Sequence, residues 1–156
     1  MQPRMKSPVT IVPDAVQALQ DLGKALFASA EKSGIPKSTL FLAYLRASQM
    51  NGDSVCVDLH SRNALGAGET TDRLLAVAAW RETPHFTEAE RAALALSEAM
   101  TRLSDRTDPV PDEIYNEAAR LYGEQAIATL IAGIATVNLW NRLNVSTKQM
   151  VNVSAG

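Results

Sequence analysis

From Pro13 to Leu143 the chain is a succession of apolar residues at helical spacing, cut at short intervals by glycine and proline. Val16, Leu19, Leu22, Leu26 and Phe27 follow a 3.6-residue period after Pro13-Asp14, and Ser33-Gly34 closes the segment. Pro36 restarts the chain. A second helix is predicted from Lys37 or Ser38 to the breaker pair Asn51-Gly52, carrying Leu40, Leu42, Tyr44, Leu45 and Met50. A third runs from about Asp53 to Ala67, with Gly66 and Gly68 suited to its C-terminal cap. Thr70 or Thr71 caps a short fourth helix over Leu74 to Trp80, and Thr87-Glu88-Ala89-Glu90 is a capping box for a fifth that reaches Leu103. A polar linker, Ser104 to Pro111, precedes a sixth helix from about Asp112 to Tyr122. Past Gly123 a last helix spans about Glu124 to Leu143. It is apolar on most faces (Ile127, Leu130, Ile131, Ile134, Val137, Leu139, Trp140), which places it inside a bundle or between subunits. No stretch alternates as a strand would. The expected fold is all-α, a bundle of about seven helices forming one domain over residues 1–156. Residues 1–12 are expected as a flexible arm, disordered or pinned on a neighbour.

Composition narrows the function classes. A chain of 156 residues can bury roughly 70% of its unfolded surface, so the core needs no disulfide. The single cysteine allows no internal bridge and agrees with a reducing, cytoplasmic setting. Met1 to Thr10 is polar and has no signal-peptide core. The apolar run from Ala126 to Trp140 is interrupted by Thr129, Gly133, Thr136 and Asn138, so no membrane partner is expected. A net charge of −2, no basic block and 5% aromatic residues argue against nucleic acid. One cysteine and two histidines, His60 and His85, twenty-five residues apart, form no ligand set; neither metal nor cofactor is expected.

The chemistry concentrates between Arg46 and Gly68. Cys56 and His60 are four residues apart, hence on one face of the third helix, one turn from each other. Asp53 or Ser54 can cap that helix, which puts Cys56 in its first turn. Unpaired N–H groups and the positive end of the helix dipole favour a thiolate there. A histidine one turn on can take the thiol proton or stabilise the anion. The bland alternatives are a small buried cysteine and a histidine satisfied by a backbone carbonyl. Asp58 faces away from both and reads as solvated; His85 reads as structural or exposed.

The run Arg46-Ala47-Ser48-Gln49-Met50-Asn51-Gly52, with Cys56, His60 and the small turn Ala64 to Gly68, resembles the signature of AhpD-like alkylhydroperoxidases. These belong to the carboxymuconolactone decarboxylase superfamily. Trp80-Arg81-Glu82-Thr83-Pro84 and Asn138-Leu139-Trp140-Asn141-Arg142 also resemble segments common in that family, so the likeness covers roughly Leu40 to Asn144. It implies an all-helical subunit assembling as a homo-trimer or homo-hexamer. It further implies a thiol-dependent peroxidase or disulfide oxidoreductase with Cys56 as redox thiol and His60 as base. Its partners would be a small-molecule peroxide and an external thiol or dithiol reductant.

Two departures from the family pattern matter. Where the first cysteine of Cys-x-x-Cys belongs, this chain has Asp53. Asp53 admits three readings: an N-cap; a carboxylate that raises the thiol pKa or pairs with His60; or a substituted or over-oxidised cysteine, since a sulfinate has similar shape and charge. Under the first two the resolving thiol is missing, and turnover requires an external one. The family's relay Glu, about three turns before the first cysteine, falls at Phe41, with Asp58 and Glu82 as distant substitutes. Impaired peroxidase activity is therefore expected. The alternatives are a cofactor-free lactone decarboxylase-like lyase acting through His60, and a non-catalytic helical assembly protein. Arg46 has a blander role available as half of a buried or interfacial salt bridge, and Trp80 and Trp140 as packing residues.

Overall fold

The computed structural model describes residues 2–151. Eight α-helices follow in chain order: α1 (Pro8–Ile11), α2 (Pro13–Ser33), α3 (Lys37–Asn51), α4 (Ser54–Gly66), α5 (Thr71–Ala76), α6 (Glu88–Thr101), α7 (Asp112–Leu121) and α8 (Glu124–Thr147). Short 3-10 turns occupy Val77–Glu82 and Leu103–Asp105. There is no strand among the described residues, so the all-α expectation holds.

The organising element is α3. Leu40, Leu42, Ala43, Tyr44, Leu45 and Ala47 are all buried, which is why its apolar residues follow no single stripe. It meets α4 and the 3-10 turn on one side, α6 and α8 on others. Two cores result. Leu40, Ala43 and Tyr44 join Leu96, Leu130 and Ile134 in the larger; Leu42 and Leu45 join Val77, Trp80, Phe86 and Leu94 in the smaller. Each fully buried leucine contributes about 1.5–3 kcal/mol of apolar transfer.

Several boundaries differ from the sequence reading. The fourth helix stops at Ala76 and continues as a 3-10 turn, inside which Ala79 leaves helical geometry (φ −119°, ψ 32°). α8 runs a turn further, to Thr147, and ends on Lys148 in the left-handed region. Leu22 on α2 is 44% exposed instead of facing the core. The arm includes the short helix α1 and is tied to its own chain: Arg4 donates to the carbonyls of Ser146 and Thr147, and Gln149 donates to that of Met5. α8 is long and apolar enough to span a membrane by length and composition (mean hydropathy 1.2), yet half of that window is buried in this fold.

Candidate active site

The turn between α3 and α4 builds the site. Gly52 takes φ 67°, a left-handed conformation that glycine adopts without a Cβ penalty, and so reverses the chain within one residue. Asp53 follows as N-cap. Its Oδ1 accepts from the backbone N–H of Val55 (3.0 Å) and Cys56 (3.1 Å). Its Oδ2 accepts from the side-chain amides of Asn141 (3.0 Å) and Asn144 (2.9 Å) on α8. The residue is 2% exposed, and all four donors are neutral.

The asparagines form a stripe. Asn138, Asn141 and Asn144 recur every three residues along α8 and zip it to the α3–α4 turn. Asn51 donates to the Oδ1 atoms of Asn138 and Asn141 (both 2.9 Å), and Asn141 also donates to Ser48 Oγ (3.1 Å). Buried amides are costly unless paired, and these are paired. Asn144 completes the link by donating to Cys56 Sγ at 3.4 Å. Asn141 and Asn144 were absent from the sequence-derived candidates; three asparagines at helical spacing in an otherwise apolar helix were the available signal.

Cys56 is 4% exposed and lies at the floor of a cleft of about 510 Å³ between α2, α4 and α8. Leu19, Leu59, Trp140 and Met150 make its walls largely apolar, and the arm contributes Ser7 and Val9 at the rim. The thiol is not a resting thiolate. Burial pushes its pKa up to about 12, helped by a hydrogen bond to the Asp53 carboxylate and by that carboxylate's charge; the amides of Asn144 and Asn141 pull weakly the other way. The helix N-terminus loses to burial and a facing anion.

His60 opens to the same cleft. Its ring stands edge-on to Tyr44 (centroids 5.4 Å) and stacks near Phe41 (6.4 Å), with Phe27 behind both. Gly133 on α8 makes room for this wall, since a Cβ there would overlap the Tyr44 hydroxyl. Neither ring nitrogen has a hydrogen-bond partner among the described residues. Burial lowers the His60 pKa to about 4, partly opposed by the charge of Asp53, so the imidazole is neutral at pH 7. The structure thus joins Cys56 to Asp53 and places His60 beside them without a bond to the thiol. Phe41, at the position of the family's relay carboxylate, is instead part of the histidine's aromatic wall.

The remaining sequence candidates lie elsewhere. Asp58 pairs with Arg62 on the outer face of α4. His85 and Glu82 are exposed. Arg46 points away from the cleft, to Glu98 on α6 at 2.6 Å, and Trp80 Nε1 donates to the same carboxylate. No cluster of metal-ligating side chains exists among the described residues.

An all-helical chain with a thiol at the head of α4, capped from the α3–α4 turn and with a histidine one turn on, defines an AhpD-like protein. The chain belongs to the carboxymuconolactone decarboxylase family, whose profile matches residues 13–99. It is 34% identical over 136 residues to YdfG of Bacillus subtilis, an uncharacterized protein, covering 87% of this chain and 88% of that one. To YnjA of Escherichia coli, also uncharacterized, it is 35% identical over 103 residues, 66% of this chain and 55% of the relative. Among solved structures it superposes on ATU0492 of Agrobacterium tumefaciens with a TM-score of 0.87 and 27% identity, covering 98% of this chain and 100% of that one. ATU0492 is a protein of unknown function provisionally assigned to antioxidant defence as an AhpD. The debrominase Bmp8, in a complex with 2,3,4-tribromopyrrole, matches with a TM-score of 0.78 and 26% identity over 90% of this chain and 72% of its own.

Proposed function

We propose that this protein is a thiol-dependent peroxidase of the AhpD-like type that works with one cysteine and an external thiol. The observation that carries the reading is the seating of the chain's single thiol at the floor of an apolar cleft, against a carboxylate held only by neutral donors. Cys56 Sγ attacks the outer oxygen of an organic hydroperoxide; the S–O bond forms and the O–O bond breaks. The thiol proton passes to Asp53 and from there to the departing alkoxide, giving an alcohol and a Cys56 sulfenic acid. His60, neutral and with neither ring nitrogen bonded among the described residues, accepts the hydroperoxide O–H and holds it in line. With no second cysteine, an external thiol condenses with the sulfenic acid, releasing water. A second equivalent reduces the mixed disulfide and returns Cys56. Likeness to ATU0492 supports this reading, as does the apolar cleft lining.

The test is a brief pulse of cumene hydroperoxide with a sulfenic-acid trap, read by mass spectrometry of the peptide spanning Gly52 to His60. Trapping of Cys56 well above the rate of free cysteine is expected, with multiple turnovers when excess thiol is present. A Cys56 that reacts no faster than free cysteine overturns the proposal. A second reading, a lyase that moves protons through His60, draws on the neutral, unpartnered imidazole. An activity that survives Cys56→Ser and is lost in His60→Ala would select it.

A further inference from the structure

On the side of α3 away from the thiol, four arginines converge on one small cavity. Arg46 comes from α3, Arg81 from the 3-10 turn, Arg102 from the C-cap of α6 and Arg106 from the loop before α7. The cavity measures about 70 Å³, and Glu98 is the only carboxylate in its lining. That carboxylate is already committed: it accepts from Arg46 Nε, Trp80 Nε1 and Arg81 Nη1. Burial alone would raise the Glu98 pKa, but these three donors outweigh it and hold the group below the usual carboxylate range. One anion therefore faces four guanidinium groups.

The imbalance is not relieved elsewhere. Arg102 and Arg106 form no ion pair among the described residues. Arg46 uses Nε on Glu98 and Nη1 on Gln49, which leaves its Nη2 without a hydrogen bond among those residues. Asp105 and Asp108 lie in the same loop as Arg106 but are not part of the lining. A cation at the end of α6 is favoured by the helix dipole, which accounts for Arg102. It does not account for the other three pointing at the same space, in a chain whose net charge is −2.

We propose that Arg46, Arg81, Arg102 and Arg106 form a binding site for a small oxyanion of the phosphate or sulfate class. Planar guanidinium forks match the oxygen geometry of such ions and bind them through paired, charge-assisted hydrogen bonds. The volume admits one oxyanion or the phosphate head of a larger molecule whose remainder stays outside. The site shares no lining residue with the thiol cleft and does not depend on the peroxidase reading. Arg46 nevertheless opens the Arg46–Gly52 run that leads into Asp53, so an anion here tightens the C-terminal half of α3, from which the catalytic turn hangs.

The experiment is calorimetric titration and thermal denaturation with sodium phosphate, against sodium chloride at matched ionic strength. Saturable phosphate binding and a rise in Tm that chloride does not reproduce are expected. The double variant Arg102→Gln/Arg106→Gln should bind at least tenfold more weakly; both side chains are exposed, so the fold survives. Exposed Lys24→Gln/Lys32→Gln serves as the charge-matched control and should bind as the parent does. Phenyl phosphate distinguishes the source: binding as tight as phosphate indicates the head group of a larger molecule, and weaker binding indicates the free ion. A chloride effect equal to that of phosphate, wild-type affinity in the arginine double variant, or equal loss in the lysine control would overturn the proposal.

Discussion

Two carboxylates flank α3, Asp53 buried and Glu98 half-buried, and they are held in opposite ways. Glu98 is gripped by two guanidinium groups and an indole N–H, with Arg81 and Arg91 stacked on the ring of Trp80. Its negative charge is answered by positive charge, which makes it a fixed strut between α3, α6 and the 3-10 turn. Asp53 accepts four hydrogen bonds to the three of Glu98, but none from a cation: two backbone N–H groups and two amides hold it in place without neutralising it. Asp53 thus faces the thiol with no cation beside it among the described residues, whereas Glu98 is clamped by arginines. The same side-chain chemistry becomes a charge-paired strut in one region and a carboxylate seated beside the thiol in the other.

The strut side should be the more expensive to break. Glu98→Gln leaves Arg46, whose side chain is 17% exposed, without its counter-charge inside the protein. Removing one partner of a buried pair costs about 3–5 kcal/mol, and the partial exposure of Arg46 puts the expected loss at about 3 kcal/mol. Urea denaturation of the variant measures it. A loss below about 1 kcal/mol would mean that the arginines are solvated without Glu98, and the contrast drawn above would collapse.

On the site side the largest stability effect belongs to His60, and it depends on pH. Its pKa is lowered by burial from 6.5 to about 4 in the folded protein. Below pH 6.5 the unfolded chain takes up a proton that the folded one refuses, so stability falls as pH drops and levels off once the folded group titrates near 4. Between those limits the loss amounts to up to about 3 kcal/mol. His60→Phe keeps an aromatic ring against Phe41 and Tyr44 and removes both unpartnered nitrogens. The variant should be no less stable than the parent at pH 7 and should lose less between pH 6.5 and 4, read from urea midpoints across that range. Parallel pH profiles for the two proteins would show that the ring nitrogens have a partner in solution.

How much of this was legible in the sequence follows from the range of the interactions. Local rules placed the elements: the capping box at Thr87, the breaker at Gly52 and the cap at Asp53 each depend on residues within four positions. Long-range pairing was not legible. The sequence suggested a salt bridge for Arg46, but nothing local singles out Glu98, 52 positions away, as its partner. Asn144 reaches Asp53 across 91 positions and Cys56 across 88. The thiol's acidity could not be read from the helix start alone, because its sign is decided by burial and by where the Asp53 carboxylate turns. Phe41 is the exception. Its place in the family pattern identified it as the residue standing where a relay carboxylate would be, and the structure sets it against the histidine.

The smallest expected stability change carries the most information about the site. Asp53→Asn retains the side-chain oxygen that caps α4, but it places an amide N–H₂ where Oδ2 now accepts from Asn141 and Asn144. Two amides lose that acceptor, but Asn141 keeps Ser48 Oγ and Asn144 keeps Cys56 Sγ as partners, so the expected cost is about 1–2 kcal/mol and the variant remains folded. Asp53 raises the pKa of Cys56 through both its hydrogen bond and its charge. Its replacement should therefore lower that pKa from about 12 and speed alkylation of Cys56 by iodoacetamide at pH 8. If Asp53 also takes the proton during attack on a peroxide, oxidation of Cys56 by cumene hydroperoxide should slow in the same variant. Opposite movement of the two rates separates a proton acceptor from a bystander that merely disfavours the thiolate. If both rates rise together, Asp53 is a cap that happens to face a cysteine, and the contrast with Glu98 reduces to one of charge alone.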